Sequence, residues 1–219
     1  MGIILSSRTI KETLSDRLLL LWLLYDAMKF KAVGDTKAHK LTYLSESSMK
    51  QDKEKGFNYD FKKLPFGPFS DELRRDVDWL EEQKLIDSRP FEDGKIFESS
   101  RFGRKLLSDF GDLFARNAVF TQKIYAVNQK YARLNTYELV EAVHQQAHPD
   151  VESVKIDEME IGEIILYRLS SENAKVEFDI TPEELATLEV YFDDDAYRSA
   201  MHAFESAKRK PLLSMDEVF

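Results

Sequence analysis

The sequence has no cysteine among its 219 residues. This absence excludes disulfide bonds, thiolate zinc sites and a cysteine nucleophile, and it fits the reducing cytoplasm, where we expect the protein to act. Long apolar runs are also missing. The longest, residues 18–25, is far shorter than the ~20 residues that a membrane-spanning helix needs, so it predicts a buried helix and no membrane association.

Catalytic motifs are scarce as well. The sequence has no Gly-x-Ser-x-Gly elbow, no phosphate-binding glycine loop and no dinucleotide fingerprint. His144 and His148 have the spacing of two metal ligands on a helix, but Gln145 stands where a zincin has its general base. Asp193-Asp194-Asp195 reads as a solvated helix break. We therefore expect no enzyme, no cofactor and no metal, and a metal-dependent enzyme is the weakest alternative.

The net charge of −9 is unevenly distributed. Residues 1–133 hold 24 basic and 20 acidic side chains, whereas residues 134–219 hold 7 and 20. The front part is therefore mildly basic and the back part strongly acidic. A nucleic acid would have to meet the front part, and the acidic part suits a protein partner.

The most readable stretch surrounds the corner Phe66-Gly67-Pro68-Phe69. Gly67 can adopt a positive φ, and Pro68 presets a turn or a helix entry. Ser70 is typical of a helix N-cap, so a helix is predicted over residues 70–84. Asp93-Gly94 then predicts a β-hairpin directly after this helix. A hairpin in that position suggests a winged-helix core, with Trp22, Leu41, Leu73, Val77 and Leu80 at its centre.

Two further helices are predicted before this corner. Residues 14–28 carry a wide apolar stripe, and Thr36 is a plausible cap for a helix that continues to about residue 53. Its lysines are expected outside: Lys37, Lys40, Lys50, Lys53 and Lys55. Phe57, Tyr59 and Phe61 alternate with polar residues, which favours packing against helices over a base-stacking platform.

The rest of the sequence, from residue 101 onward, predicts both helices and strands. Residues 101–133 have a helical pattern, and Asn135 or Thr136 is a candidate cap for a helix over residues 137–147. The β-rich runs 164–169 and 176–180 predict a hairpin, and Thr181-Pro182-Glu183-Glu184 predicts the start of a helix. The expected fold is mainly α (α+β), with a winged-helix-like domain over residues 1–150 and an acidic β-hairpin and helix region over residues 151–219.

Residues 36–44, 57–61, 67–73 and 85–86 resemble the YwgA-like family, and more distantly the SocA-like or Panacea antitoxin domain. The resemblance covers about residues 15–150, although His144 and His148 stand where aromatic residues are expected. It implies a winged-helix-like module associated with toxin neutralisation, phage defence or regulation. Residues 206–219 are similar to the C-terminal tails of small antitoxins, which contact a partner.

The expected function is therefore non-enzymatic binding of a protein partner, such as a toxin, or of a second copy in a homodimer. The candidate partner-binding residues are Leu212, Leu213, Met215, Val218 and Phe219. The alternative is a DNA-binding regulator that uses the cations of the hairpin and the helix after it: Arg89, Lys95, Arg101 and Arg104. The predicted helix 70–84 has a net charge of −3, which disfavours a groove lined by phosphates.

Overall fold

The computed structural model describes residues 8–91, 94–149 and 151–193, together with residues 196, 197, 199, 202, 203 and 206. It has an α+β fold with 58% helix and 17% strand, and the strands form small sheets. The chain divides into two compact units, Met1–Ile180 and Thr181–Phe219. No helix among the described residues is long and apolar enough to cross a membrane.

The helices and strands of the first unit follow one another along the chain. The helices are α1 (Ile10–Met28), α2 (Asp35–Gln51), α3 (Asp71–Glu82), α4 (Arg101–Asp109), α5 (Gly111–Arg116), α6 (Ala118–Tyr131) and α7 (Thr136–His144). The strands are β1 (Glu54–Lys55), β2 (Phe61–Leu64), β3 (Gly67–Phe69), β4 (Ile86–Phe91), β5 (Gly94–Ser99), β6 (Ala147–His148), β7 (Val151–Lys155), β8 (Ile164–Leu166) and β9 (Val176–Glu177).

The core of this unit lies where α1 and α2 pack against α6 and α3 packs against α1. Six leucines of α1 are fully buried because residues 18–24 contact neighbours on almost every side. Leu41, Leu73, Val77 and Leu80 are buried as predicted. Trp22 is only partly buried, and its ring lies 4.5 Å from that of Phe114.

The corner before α3 is confirmed at Gly67 and Ser70, whereas Pro68 lies in strand β3 and not in a turn or a helix entry. Gly67 has φ +87°, in the left-handed region that favours glycine. Ser70 Oγ accepts a hydrogen bond from the Leu73 amide and caps α3. Strands β4 and β5 then form the predicted antiparallel hairpin, and the Phe97 amide joins it to the Val33 carbonyl at 2.8 Å.

The single helical pattern predicted for residues 101–133 is divided among α4, α5 and α6. Asn117 provides a reason for the second break. Its Nδ2 donates to the Leu113 carbonyl at 2.9 Å and to the Asp179 carbonyl at 2.7 Å, while its Oδ1 accepts from the Asp179 amide. The side chain of Asn117 thus joins the end of α5 to a distant segment.

The hairpin predicted between residues 164–169 and 176–180 is wrong. Strand β8 pairs antiparallel with β2, whose other edge pairs with β3, and β9 pairs parallel with β1. The open edges of β1 and β2 supply partners that a local pattern cannot reveal. These pairings bring residues 164–180 into the first unit, so the expected domain boundary at residue 150 lies inside it.

The second unit begins with helix α8 (Pro182–Tyr191), as predicted. The Thr181 side chain accepts from the Glu184 amide at 3.2 Å, and the Glu184 carboxylate accepts from the Thr181 amide at 2.9 Å. This is the predicted capping box, with Pro182 at the first helical position. Two residues of the acidic triplet and all five predicted partner-binding residues lie outside the described residues: Asp194, Asp195, Leu212, Leu213, Met215, Val218 and Phe219.

Candidate interaction surface

The first turn of α2 is the starting point of the candidate site. The helix begins one residue before the predicted cap Thr36, and the residue that precedes it, Gly34, has no side chain to cap the free amides. The positive end of the helix dipole is therefore not shielded by a capping side chain. Asp35 supplies a carboxylate in this turn, and burial raises its pKa.

Two lysines in the first two turns of α2 are buried, contrary to the prediction that they lie outside. Lys37 and Lys40 expose 3% and 2% of their surface. Lys37 Nζ donates to the Ala132 carbonyl at 3.1 Å, and Lys40 Nζ donates to the Pro68 carbonyl at 2.8 Å. Neither ammonium forms an ion pair with a carboxylate among the described residues. The two lysines are therefore buried cations with neutral partners.

Burial without a carboxylate changes the ionisation of both lysines. It lowers the pKa of Lys40 to about 7 and that of Lys37 to about 8. The positive charge of Lys31 adds to the effect on Lys37, whereas the negative charge of Glu138 opposes it. Lys40 itself lowers the pKa values of His39 and His144, whose main cause of lowering is burial.

The residues around Lys40 pack closely against one another. The His39 ring stacks on Phe69 with ring centres 4.6 Å apart. A Cβ atom at Gly67 would lie 2.9 Å from His144 Nε2, which is buried and has no hydrogen-bond partner among the described residues. His144 ends α7 and His148 lies in β6, so the two histidines are not on one helix as the metal-site spacing required. No cluster of three metal-ligating side chains occurs in the described part of the chain.

Two adjoining pockets open on this turn. One, of about 240 Å³, is lined by His39, Lys40, Phe69 and the exposed Phe66. The other, of about 760 Å³, lies between the start of α2, the β4–β5 hairpin and the start of α7, where Phe91 and Tyr137 are exposed. Asp35 and Thr36 line both pockets, so the two lie side by side. We call them together the α2 groove.

Most charged side chains that line the α2 groove are cationic. Among the described lining residues, the acidic one is Asp35, and the basic ones are Lys31, Lys37, Lys40, Arg74 and Lys95. This concentration of positive charge stands out in a chain with a net charge of −9. The three exposed aromatic residues add apolar surface: Phe66 exposes 69%, Phe91 46% and Tyr137 76%. Such a surface is suited to binding.

The four cations predicted to bind DNA are not gathered into a free basic surface. Arg89 forms an ion pair with Glu98 across the hairpin, and Lys95 Nζ lies 2.6 Å from Glu81 and 3.6 Å from Asp78. Arg104 donates to the Ser99 carbonyl and hydroxyl at 2.8 and 2.6 Å. Arg101 is exposed at the start of α4. Phe57, Tyr59 and Phe61 are fully buried, which confirms the favoured prediction of packing and excludes the alternative of a base-stacking platform.

The sequence analysis did not predict a buried ionic network centred on Asp76 of α3. Arg8 Nη1 lies 2.7 Å from both Asp16 and Asp76, and Arg17 Nε lies 2.9 Å from Asp76. Tyr59 also donates its hydroxyl proton to Asp76 at 2.9 Å. The signal was present, since Asp16 interrupts the apolar stripe of α1 and Asp76 directly precedes the core residue Val77.

A second buried acid lies near this network. Glu46 of α2 is fully buried; its Oε2 accepts from the Phe57 amide at 3.0 Å, and its Oε1 has no partner among the described residues. Burial raises the pKa of Glu46 well above its ordinary value, and the nearby Asp16 adds to the effect. A neutral carboxyl group therefore fits this position better than a carboxylate.

Comparisons with known proteins give no indication of function, so the proposal below is argued from the geometry of the site. No family model, no curated protein and no solved structure matches this chain.

Proposed function

We propose that this chain is a non-enzymatic regulatory protein of the antitoxin type that binds a protein partner. The observation that carries the proposal is the α2 groove, in which the exposed Phe91 and Tyr137 border the larger pocket and the exposed Phe66 borders the smaller one. Aromatic residues at the rim of a groove are typical anchors of protein interfaces. The resemblance of residues 36–44 and 67–73 to YwgA-like and SocA-like proteins supports the same class of role.

The alternative is a winged-helix regulator that binds DNA. One observation favours it, since α3 is followed directly by the β4–β5 hairpin, the order found in winged helices. Against it, the solvent-facing side of α3 carries Asp78, Glu81 and Glu82, and Glu81 holds Lys95 of the hairpin. Acidic groups in these places would repel phosphates. Electrophoretic retardation of duplex DNA at low salt tests this alternative, and we expect no retardation.

Co-purification tests the main proposal. The tagged chain is expressed together with each small protein encoded beside its gene, and we expect one of them to form a stable stoichiometric complex. A Phe66→Ser and Tyr137→Ser double variant should lose that complex. The matched control is Ile161→Ser, because Ile161 is also exposed but lies outside the α2 groove. A complex that is insensitive to the double variant would move the interface elsewhere.

The C-terminal tail is tested separately. A variant with serine at Leu212, Leu213, Met215, Val218 and Phe219 removes its apolar side chains without shortening the chain. If these residues contact the partner as proposed, the complex should weaken in this variant. Sedimentation of the purified protein alone shows whether a second copy is the partner.

A further inference from the structure

The buried ammonium groups of the α2 groove have hydrogen-bonding capacity to spare. A lysine ammonium has three N–H donors, yet Lys37 and Lys40 each donate to a single main-chain carbonyl in the described structure. By contrast, the buried Arg8 binds two carboxylates directly. Lysines left with neutral partners carry charge that a ligand with carboxylates can neutralise.

Charge complementarity indicates which ligand this is. The uncapped start of α2 and the exposed cations Lys31 and Arg74 add to the positive potential of the groove. The aromatic residues Phe66, Phe91 and Tyr137 require an apolar counterpart beside the negative one. A segment that carries both acidic and apolar side chains meets both requirements.

A nucleic acid also combines negative charge with flat apolar surfaces, but the groove suits it less well. Asp35 lies where the two pockets meet, and Asp78 and Glu81 hold Lys95 at the hairpin. A continuous phosphate backbone would have to pass these carboxylates, whereas a peptide can place its acidic residues selectively.

We propose that the α2 groove binds an acidic segment of the protein partner, in which carboxylate side chains lie beside aromatic or aliphatic ones, and that Lys37 and Lys40 select it by charge. The inference rests on the proposed function and deepens it by naming the chemistry of the bound segment. Lys40 serves the smaller pocket beside Phe66, and Lys37 serves the larger one beside Phe91 and Tyr137.

A displayed library of random peptides tests the proposal on the immobilised full-length protein. We expect the selected peptides to be enriched in aspartate or glutamate next to phenylalanine, tyrosine or leucine. A fluorescein-labelled consensus peptide should then bind the free protein, and its affinity should fall with added salt. A matched peptide with asparagine and glutamine in place of its acids should bind about tenfold more weakly or worse.

Two variants test whether the ammonium groups of Lys37 and Lys40 select the acidic peptide. The Lys37→Met and Lys40→Met double variant should weaken consensus-peptide binding by about tenfold or more, since it retains the apolar stems but not the ammonium groups. The control Lys130→Met changes an exposed lysine outside the groove and should bind like the original protein. Thermal unfolding of each variant verifies that the fold is retained.

Several results would overturn the inference. Three of them concern the selected peptides: enrichment of lysine and arginine, enrichment of apolar residues without acids, or no enrichment. The fourth is that the double variant binds the consensus peptide as tightly as the original protein. Groove-dependent binding of a single-stranded oligonucleotide would overturn it in favour of nucleic acid. If a neighbouring gene product binds the double variant as well as it binds the original protein, the inference fails but the proposed function stands. If no gene product binds either, both fail.

Discussion

Two groups of buried charges in the first unit contrast with one another. Around Asp76, the cations Arg8 and Arg17 face the carboxylates of Asp16 and Asp76 at 2.7–2.9 Å. Around the start of α2, Lys37 and Lys40 each donate to a main-chain carbonyl and to no carboxylate of the described residues. Asp16, Asp76, Lys37 and Lys40 are all buried, so the difference lies in whether the charge is compensated inside the folded chain.

The contrast separates a structural role from a binding role. Compensated charges connect α1, α3 and the segment at Tyr59, and they are complete without a ligand. Uncompensated charges destabilise the free protein and favour a bound state that supplies the missing carboxylates. We therefore expect substitutions in the two groups to have opposite consequences for stability and binding.

The largest effect is expected for Asp76→Ala. It removes the shared acceptor of Arg8, Arg17 and Tyr59, and breaking such a buried network costs about 3–5 kcal/mol. Urea denaturation at neutral pH measures the loss. Asp76→Asn, which keeps the shape and one acceptor oxygen, should lose less. A loss for Asp76→Ala below about 1 kcal/mol would show that the network is not structural.

A smaller effect is expected for Val77→Ala on the same helix. Val77 is 1% exposed, and loss of its methyl groups should cost about 1–3 kcal/mol through lost burial and the cavity that remains. The same denaturation measurement applies. This variant isolates apolar packing from the ionic network beside it, and an unchanged midpoint would contradict the packing of α3 described above.

Lys40→Met should behave in the opposite way. Because the ammonium is buried without a carboxylate, its removal should leave the free energy of unfolding within about 1 kcal/mol or raise it. The folded pKa of Lys40, about 7, lies below its ordinary 10.5, so the penalty is full below pH 7 and declines as the pH rises toward 10.5. The original protein should therefore gain stability relative to the variant over that interval. A destabilisation of about 3 kcal/mol would place Lys40 with the structural group.

The smallest effect is expected at the hairpin. Arg89 and Glu98 are an exposed ion pair, so Arg89→Ala should change stability by less than about 0.5 kcal/mol. It should also leave partner binding unchanged, since Arg89 lies outside the α2 groove. Denaturation and co-purification check the two expectations. A large loss of binding would reopen the alternative that the hairpin contacts a ligand.

The sequence predicted local features better than it predicted the site. Gly67, Ser70 and Thr181 act through their own backbone or a residue three positions away, so their roles were readable. The pairing of β8 with β2 depends on residues about a hundred positions apart, which no local pattern contains. Lys37 and Lys40 were misjudged because α2 is buried on both its apolar and its lysine-bearing faces.

The groove could have been anticipated only in part. The exposure of Phe66, Phe91 and Tyr137 depends on how the hairpin and α7 lie beside α2, which is a property of the tertiary structure. The pairing of Lys95 with Asp78 and Glu81 of α3 was not predicted, because it depends on how the hairpin packs beside that helix.

The most direct test is an NMR titration of the lysine side chains, with and without a saturating acidic consensus peptide. In the free protein, the side-chain resonances of Lys40 and Lys37 should titrate with pKa values of about 7 and about 8. When peptide carboxylates reach them, both pKa values should rise toward the ordinary value of a lysine. Ordinary lysine pKa values in the free protein would contradict the proposal that carboxylates of an acidic partner neutralise Lys37 and Lys40. Depressed pKa values that the bound peptide leaves unchanged would contradict it as well.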